Sequence, residues 1–287
     1  MAISINKVNE AIRQKIIEDY KNGKSMRQIE IDYGVTRTTV SKYLTKLGIK
    51  TTVGNHYRTY SHTEDFFHII DTEEKAYWLG FMFADGYISN NDNRYGQDQF
   101  GLSLAEEDID SLYQFKKALD ATNPVHIYNR NSNTKGQSLC RLQLTSQQTV
   151  NDLIMHGCKK QKSHILQPPI NVSNELIPHF IRGFFDGDGS IVKAKNNNYK
   201  KTSGYVYSIN ITTTKMMADW LQAYFDMGTV AKESRKEFIY YYNLGGHLQV
   251  IKFYHILYDK ATVYMKRKYL RFQELLNKYE ETQGIDV

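Results

Sequence analysis

Residues 71–89 read DTEEKAYWLGFMFADGYIS, and residues 177–192 read IPHFIRGFFDGDGSIV. Each stretch is an apolar run that ends in Asp-Gly and continues into a strand-like segment. The aspartates of the two endings, Asp85 and Asp188, lie 103 residues apart. A long run that recurs with the same ending predicts a duplicated structural unit.

The duplication extends beyond these two runs. ALDATNPV, which starts at Ala118, matches YFDMGTV from Tyr224, and QKSHIL from Gln161 matches RKYLRF from Arg267. Between the N-terminal segment and the first copy, KTTVGNHYRTYSH shows no apolar period and is typical of a linker. We therefore divide the chain into residues 1–50, a linker over 51–64, a first half over 65–170 and a second half over 171–287.

Both runs have the features of helices of three to four turns. Asp71 and Glu74 have the spacing of a capping box, and Pro178 suits the first helical position. Gly86 and Gly189 suit the residues that follow a helix end. The two apolar runs are therefore predicted to be helices that stop at the Asp-Gly pairs.

Small residues recur four positions apart in both predicted helices. Gly80 and Ala84 have this spacing in the first helix, and Gly183 and Gly187 have it in the second. Such a stripe lets two helix backbones approach closely, so we expect the two helices to pack against each other. Their C-terminal aspartates would then lie side by side.

Two neighbouring carboxylates at helix C-termini repel each other unless a cation lies between them. Mg²⁺ is the expected cation, because hard cations prefer oxygen ligands. A pair of bound metals can stabilise the attacking water and the leaving oxygen of an in-line phosphodiester hydrolysis. The alternative is that each Asp-Gly is only a helix stop followed by a turn.

Residues 78–86 and 181–189 resemble the two copies of the motif that defines the LAGLIDADG homing endonuclease family. Phe83 departs from the acid that the motif usually has at that place, whereas Asp186 keeps it. This earlier position is not the one that the family uses to bind metal. The resemblance extends over residues 65–287.

The resemblance implies an α+β fold, in which a pseudo-twofold pair of αββαββα units forms a saddle on the major groove of DNA. It implies that Asp85 and Asp188 are the catalytic acids and hold two or more Mg²⁺ or Mn²⁺ ions. Gly86 and Gly189 complete the predicted metal site.

Lys162 and Lys268 occupy equivalent places, 106 residues apart. In the family a basic residue near this region positions the water or stabilises the scissile phosphate, so the resemblance implies that both lysines are catalytic. Charge complementarity to a pentavalent transition state is the physical reason. Simple phosphate contacts are the alternative.

Apolar residues alternate along three predicted strands: Phe100, Leu102 and Leu104; Cys140, Leu142 and Leu144; Tyr207, Ile209 and Ile211. Helices are predicted between strands over 108–120, 147–156, 215–226 and 247–258. The polar faces of the strands can donate to and accept from base edges. The predicted DNA contacts there are Arg141, Gln143 and Thr145; His126, Tyr128 and Arg130; and Ser208, Asn210 and Thr212. Any solvated sheet face can have this composition.

The net charge of +6 is held by the first 60 residues, which contain 11 basic and 5 acidic groups. The remaining residues have 26 of each sign. A basic N-terminal fifth on a neutral body indicates attraction of this part to a polyanion such as DNA. Solubility alone is the alternative.

Three short helices are predicted in this basic segment, with Ser25 and Thr36 as N-caps and Gly34 at the turn between the last two. The third helix has Val40, Leu44 and Leu47 on one face. The segment resembles the helix-turn-helix family, which implies that the third helix enters the major groove. The DNA contacts that we predict are Arg37, Thr38, Ser41, Lys42 and, in the linker, Arg58. A bundle that only packs on the main domain is the alternative.

We expect a monomeric, metal-dependent endonuclease that cuts double-stranded DNA at a long pseudo-palindromic site. A non-cleaving transcriptional regulator and an RNA maturase for intron splicing are the alternatives. No apolar run approaches the roughly 18 residues of a membrane span, and the N-terminus lacks the apolar stretch of a signal peptide. Cys140 and Cys158 are the two cysteines and suit a reducing compartment. We therefore expect a cytoplasmic protein without a membrane partner.

Overall fold

The structure, a computed structural model, describes residues 8–49, 60–89, 98–128, 138–159, 164–195, 204–234 and 236–283. The chain divides into two compact units, Met1–Tyr60 and Ser61–Val287. Each unit has a hydrophobic core of its own. Within the described ranges, no helix has both the length and the apolar character needed to cross a membrane.

The N-terminal unit consists of three helices, α1 (Glu10–Lys21), α2 (Met26–Tyr33) and α3 (Arg37–Lys46). The side chains of Ser25 and Thr36 accept hydrogen bonds from backbone N–H groups in the first turns of α2 and α3, as predicted. Gly34 has a φ of 66° between these helices, a left-handed conformation that glycine adopts without strain. The three helices enclose a small core of Val8, Ile16, Ile29, Val35, Val40 and Leu44.

The assignment of Leu47 to the apolar face of α3 is wrong. The helix ends at Lys46, and Leu47 is its C-cap, 48% exposed. Ile49 packs against the core instead, after Gly48 turns the chain with a φ of 72°.

The larger unit contains two sequential sets of the same seven elements. The first set is α4 (Glu73–Ala84), β1 (Gly86–Ser89), β2 (Gln99–Ala105), α5 (Ile109–Ala118), β3 (Val125–Tyr128), β4 (Leu139–Thr145) and α6 (Gln147–Met155). The second set is α7 (Ile177–Asp188), β5 (Gly189–Lys195), β6 (Tyr205–Thr213), α8 (Lys215–Phe225), β7 (Thr229–Lys232), β8 (Tyr240–Gly245) and α9 (His247–Tyr258). A further helix, α10 (Lys266–Gln283), follows the second set and was not predicted from the sequence.

Each set forms one four-stranded antiparallel sheet. The strand orders are β1-β2-β4-β3 and β5-β6-β8-β7, which are the same order in the two halves. The predicted α+β fold with two αββαββα units is therefore confirmed, and α10 is an addition to it.

The alternation predicted for the strands is also confirmed. Leu102 lies opposite Leu142 in the β2–β4 register, and Ile209 lies opposite Leu244 in the β6–β8 register. All four side chains are buried in the core under their sheets. Because side chains alternate along a strand, the polar residues between them lie on the opposite face of each sheet.

The start of α4 differs by one residue from the predicted capping box. The N-cap is Thr72, whose Oγ1 accepts a hydrogen bond from the backbone N–H of Lys75 at 3.3 Å. Asp71 instead accepts a hydrogen bond from the Lys75 ammonium at 2.8 Å. A hydroxyl and a carboxylate can both cap a helix, so the adjacent residues Asp71 and Thr72 are alternative N-caps and the sequence does not distinguish them. Pro178 lies in the first turn of α7, but as the second residue and not at the predicted first position, because the helix begins at Ile177.

Candidate active site

Helices α4 and α7 cross in backbone contact. A Cβ atom added to Gly80 would lie 2.0 Å from the carbonyl oxygen of Phe180, and one added to Gly183 would lie 1.9 Å from that of Tyr77. Further along, a Cβ on Gly187 would lie 2.2 Å from the Cβ of Ala84. The predicted seam of small residues is therefore confirmed, and any larger side chain there would force the helices apart.

The crossing brings together the ends of the two helices that carry the predicted catalytic acids. Asp85 is the C-cap of α4, and Asp188 is the last residue of α7. A Cβ on Gly187, the residue before Asp188, would lie 3.4 Å from Oδ2 of Asp85. Asp85 is half-buried and Asp188 is exposed. The two halves thus contribute one carboxylate each to a single place on the surface.

Gly86 and Gly189, the other residues of the predicted metal site, are the first residues of β1 and β5. Neither has a positive φ, so left-handed helix termination does not explain their identity. A Cβ on Gly86 would lie 2.5 Å from the carbonyl oxygen of Met82, and one on Gly189 would lie 2.1 Å from the ring of Phe185. Each glycine packs closely against the helix that precedes it in the chain, and this packing leaves no room for a Cβ atom.

Lys268, one of the two predicted catalytic lysines, lies in the first turn of α10. Its side chain reaches the C-terminal end of α7. Its Nζ donates to the carbonyl oxygens of Phe185 at 2.7 Å, Asp186 at 2.6 Å and Gly187 at 3.1 Å. The residue is only 6% exposed, and this burial lowers its pKa to about 8. The carboxylates of Asp186, Asp85 and Asp188 oppose the shift, because a nearby negative charge stabilises the ammonium. Lys162, the other predicted lysine, lies outside the described residues.

Asp186, the acid of the motif that was not assigned to metal, is completely buried. It accepts hydrogen bonds from Tyr258 Oη at 2.6 Å, Met265 N at 2.7 Å and Tyr77 Oη at 2.9 Å. Burial raises its pKa, against the effect of Lys268 and of these donors. Phe83 takes the equivalent place in α4 and packs edge-on against the ring of Phe180. The two halves therefore support their helix ends differently.

Arg182 is a buried cation in the middle of α7 that sequence reasoning missed. It donates to the carbonyl oxygens of Leu257 at 2.7 Å and Val263 at 3.0 Å, and to Oε1 of Glu73 at 2.6 Å. Glu73 starts α4, so this ion pair joins the two halves. The sequence does contain a signal for this ion pair, namely a lone arginine inside an apolar helical run. A buried charge requires a partner, so such an arginine predicts a contact with an acid elsewhere in the chain.

The polar face of the first sheet carries a stacked cation. The guanidinium of Arg141 lies 4.3 Å from the ring centroid of Tyr87, and its Nε donates to Tyr87 Oη at 3.0 Å. The other predicted contacts are the half-buried Gln143 and Thr145 on β4 and the exposed His126 and Tyr128 on β3. Arg130 lies outside the described residues.

The polar face of the second sheet contains a groove. The predicted contacts Ser208 and Asn210 line it from β6, and Asn243 lines it from β8. Thr212, the third predicted residue of β6, is exposed and bonds to Asn210 through its hydroxyl at 3.4 Å. Asn243 was not predicted, since β8 itself was not identified by alternation.

In the N-terminal unit, the predicted DNA contacts lie at the start of α3. Arg37 is exposed, and its Nε lies 2.9 Å from Oε2 of Glu30 on α2. Thr38 and Lys42 are exposed, and Ser41 is half-buried. Arg58 of the predicted linker lies outside the described residues.

The chain is similar to solved structures of LAGLIDADG endonucleases. The I-AabMI meganuclease bound to uncleaved DNA has a TM-score of 0.51 and 16% identity, covering 72% of this chain and 91% of that chain. The I-LtrWI homing endonuclease bound to target DNA has a TM-score of 0.48 and 15% identity, covering 75% and 98%. I-SmaMI bound to uncleaved DNA with calcium ions has a TM-score of 0.44 and 16% identity, covering 75% and 98%.

No protein-family model matches the chain, and the search of curated proteins gave no match. The likeness to I-AabMI, together with the duplicated αββαββα units and the crossed helices that end in acids, confirms the resemblance at the level of the fold. Over most of its length, this chain has the fold of the LAGLIDADG homing endonucleases.

Proposed function

We propose that this protein is a site-specific DNA endonuclease that hydrolyses phosphodiester bonds of both strands, with Asp85 and Asp188 as its metal-binding acids. The observation that carries the proposal is the helix crossing, in which a Cβ on Gly187, the residue before Asp188, would lie 3.4 Å from Oδ2 of Asp85. The fold shared with I-AabMI, a meganuclease bound to uncleaved DNA, supports it. A single chain supplies both acids, so we propose that a monomer suffices.

The oxygen ligands of this site suit Mg²⁺ or Mn²⁺. Within the described ranges, no group of three or more His, Cys, Asp or Glu residues encloses a metal position. Mg²⁺ is commonly held by one or two carboxylates, with water and substrate phosphates as the other ligands. Asp85 and Asp188 fit that arrangement, and Gly86 and Gly189 remain predictions as further ligands. When bound, two or more such ions would stabilise charge on the attacking and leaving oxygens.

We propose that Lys268 contributes through its charge and through its hold on α7. Its ammonium binds three carbonyl oxygens that directly precede Asp188 in the chain, so it fixes the end of the helix. The positive charge also acts on both acids, whose carboxylates influence its pKa. A fixed cation near the reacting phosphate lowers the energy of a transition state that gains negative charge. Lys162 remains a prediction for the equivalent role in the first half.

The polar faces of the two sheets are the proposed DNA surface. Arg141 supplies a cation to the first face, and Asn210 supplies an amide to the second. Such groups read base edges in the major groove. We further propose that the N-terminal unit binds DNA through α3 and extends a long, imperfectly symmetric site.

The test uses a duplex that contains the genomic flank of the gene, incubated with the full-length protein and Mg²⁺. We expect double-strand cleavage by the wild type and none by the Asp85→Asn, Asp188→Asn double variant. Asp110→Asn is the matched control, because Asp110 is an exposed acid on α5, and it should cut like the wild type.

Three outcomes contradict the proposal. Cleavage that survives in the double variant would show that the acids are not the catalytic groups. Specific binding without cleavage by the wild type would favour a transcriptional regulator, and selective binding of the intron RNA would favour a maturase.

A further inference from the structure

A groove of about 690 Å³ lies on the polar face of the second sheet. Its polar lining consists of Ser190, Ser208, Asn210, Thr229, Asn243 and Gln249. None of the lining residues in the described part of the chain is charged. A charged side chain attracts an oppositely charged ligand of any shape, whereas uncharged polar groups bind only a ligand with matching donors and acceptors. Such a groove therefore selects its ligand by hydrogen-bond pattern.

Two asparagines at the centre of the groove bond to each other. Asn210 of β6 lies opposite Asn243 of β8, and its Nδ2 donates to Oδ1 of Asn243 at 2.6 Å. The hydroxyl of Thr212 donates to Oδ1 of Asn210 at 3.4 Å. The Nδ2 atom of Asn210 is the one that faces Asn243. In this arrangement the Oδ1 atom of Asn243 faces β6.

The bond to Asn210 uses only part of the hydrogen-bonding capacity of Asn243. An amide has two N–H donors and two lone pairs on its oxygen, so both donors and one lone pair are left for a ligand. Adenine presents the acceptor N7 beside the donor N6 in the major groove, which complements one donor and one acceptor of an asparagine. Guanine presents two acceptors there and cytosine one donor, so neither satisfies both groups.

In the first sheet, Gln143 takes the register position of Asn243, and it lies opposite Gly101, whereas Asn243 lies opposite Asn210. The cation of that sheet lies two residues before Gln143 on the same strand. Arg141 stacks on Tyr87 and presents only donors, which suit guanine or phosphate. Among the described strands, only the second sheet therefore has an asparagine opposite this amide to orient it, although the two sheets have the same strand order.

We propose that Asn243, whose Oδ1 accepts the hydrogen bond from Asn210, determines specificity by reading an adenine in the half-site under the second sheet. The inference rests on the proposed function, since it requires DNA to lie on the polar faces of the sheets. It adds a residue and a base identity that the general assignment of a DNA surface does not contain.

The experiment selects bound sequences from a randomised DNA duplex library with the full-length protein. Ca²⁺ replaces Mg²⁺ so that binding is scored without cleavage. The main variant is Asn243→Asp, which keeps an acceptor for Asn210 Nδ2 but replaces the free donor with a second acceptor. One position of the enriched motif should change from adenine to cytosine, whose N4 amino group donates to a carboxylate. Affinity for the original motif should fall about tenfold, as expected for a lost bidentate contact.

Asn151→Asp is the matched control. Asn151 lies on the exposed surface of α6, and its Oδ1 accepts a bond from Gln147 Nε2 at 3.1 Å, so the chemical change is the same outside the sheet faces. Its motif should equal that of the wild type. Asn243→Ala is a second variant, free of added charge, and it should make the same single position degenerate.

The outcomes separate the inference from the proposed function. If the wild type enriches no sequence, the proposed function is overturned and this inference with it. If the wild type enriches a motif that both folded Asn243 variants leave unchanged, only this inference is overturned.

Discussion

Arg267 reaches across the two halves to Asp108, with its Nε and Nη2 2.9 and 2.7 Å from the two carboxylate oxygens. The Asp108 side chain is only 8% exposed at the start of α5, whereas that of Arg267 is 52% exposed at the start of α10. The hydrogen bond to Asp108 raises the pKa of Arg267. Bidentate pairs of this kind are strong, and their loss is felt most by the partner that stays buried.

We expect Arg267→Met to destabilise the protein more than Asp108→Asn does. The first change leaves a buried carboxylate without its cation, which costs about 3 kcal/mol, whereas the second leaves a solvated guanidinium and costs about 1 kcal/mol. Urea unfolding of the two variants measures the difference. Asp219→Asn, which removes the exposed pair with Lys215, should change stability by less than about 0.5 kcal/mol. Equal losses at Arg267 and Asp108 would contradict the burial argument.

Gly183→Ala should disrupt the helix crossing. Its Cβ would lie 1.9 Å from a backbone carbonyl oxygen that cannot rotate away, so we expect a loss of about 3 kcal/mol or failure to fold. Gly245→Ala is the control, because a Cβ there meets no atom within 4 Å. Thermal unfolding compares the two proteins. A Gly183→Ala variant as stable as the control would mean that the helices are not in contact.

Glu274 gives a prediction for acid pH. Its hydrogen bond with Lys193, together with those from Lys278 and Arg271, lowers its pKa from 4.5 to about 2 against the effect of burial. The folded state therefore keeps the carboxylate ionised at a pH where the unfolded chain takes up a proton, so this stabilisation is complete above pH 4.5 and is lost as the pH falls toward 2.

Glu274→Gln should accordingly lower the free energy of unfolding at neutral pH by about 1 kcal/mol, a value reduced for solvent screening. The difference from the wild type should shrink as the pH falls below 4.5 in urea titrations. A difference that is independent of pH would exclude the ion pairs as its source.

Lys42 tests the proposed role of the N-terminal unit. It is exposed on α3, and if it contacts a phosphate, Lys42→Gln should reduce the slope of log affinity against log salt by about 1. Lys15→Gln removes an equal charge from the exposed side of α1 and should change the slope less. The measurement is DNA binding over a series of salt concentrations. Equal effects of the two changes would mean that only net charge matters.

The repeated motif was enough to predict two related units, and periodicity was enough to predict the strand cores and the seam of small residues, because these last two features depend on local spacing. Gly80 and Gly183 were informative since a stripe of glycine has few explanations other than backbone contact. The same reasoning missed α10, where Phe272 and Leu275 are buried among many charged residues. It could not foresee that Lys268 would bind the end of α7, since that contact spans 81 to 83 residues.

The site itself was only partly predictable. Asp85 and Asp188 followed from the duplicated motif, whereas the pairing of Asn210 with Asn243 depends on the register of β6 and β8, which one strand alone does not determine. Arg182 and Asp186 lie in the same helix as the motif, but their partners come from α4, α9 and the segment before α10. Long-range partners of buried charges are not encoded in local spacing.

The seam of small residues between α4 and α7 fixes a distance that matters for the proposed reaction. Because backbone atoms of α4 and α7 touch without intervening side chains, the direct contact of the two helices fixes the separation of the backbones that carry the two acids. If the sheets read DNA as proposed, their side chains can be changed without moving the helix ends that carry the two acids. Retargeting the protein to a new sequence should therefore leave the length of the overhang unaltered.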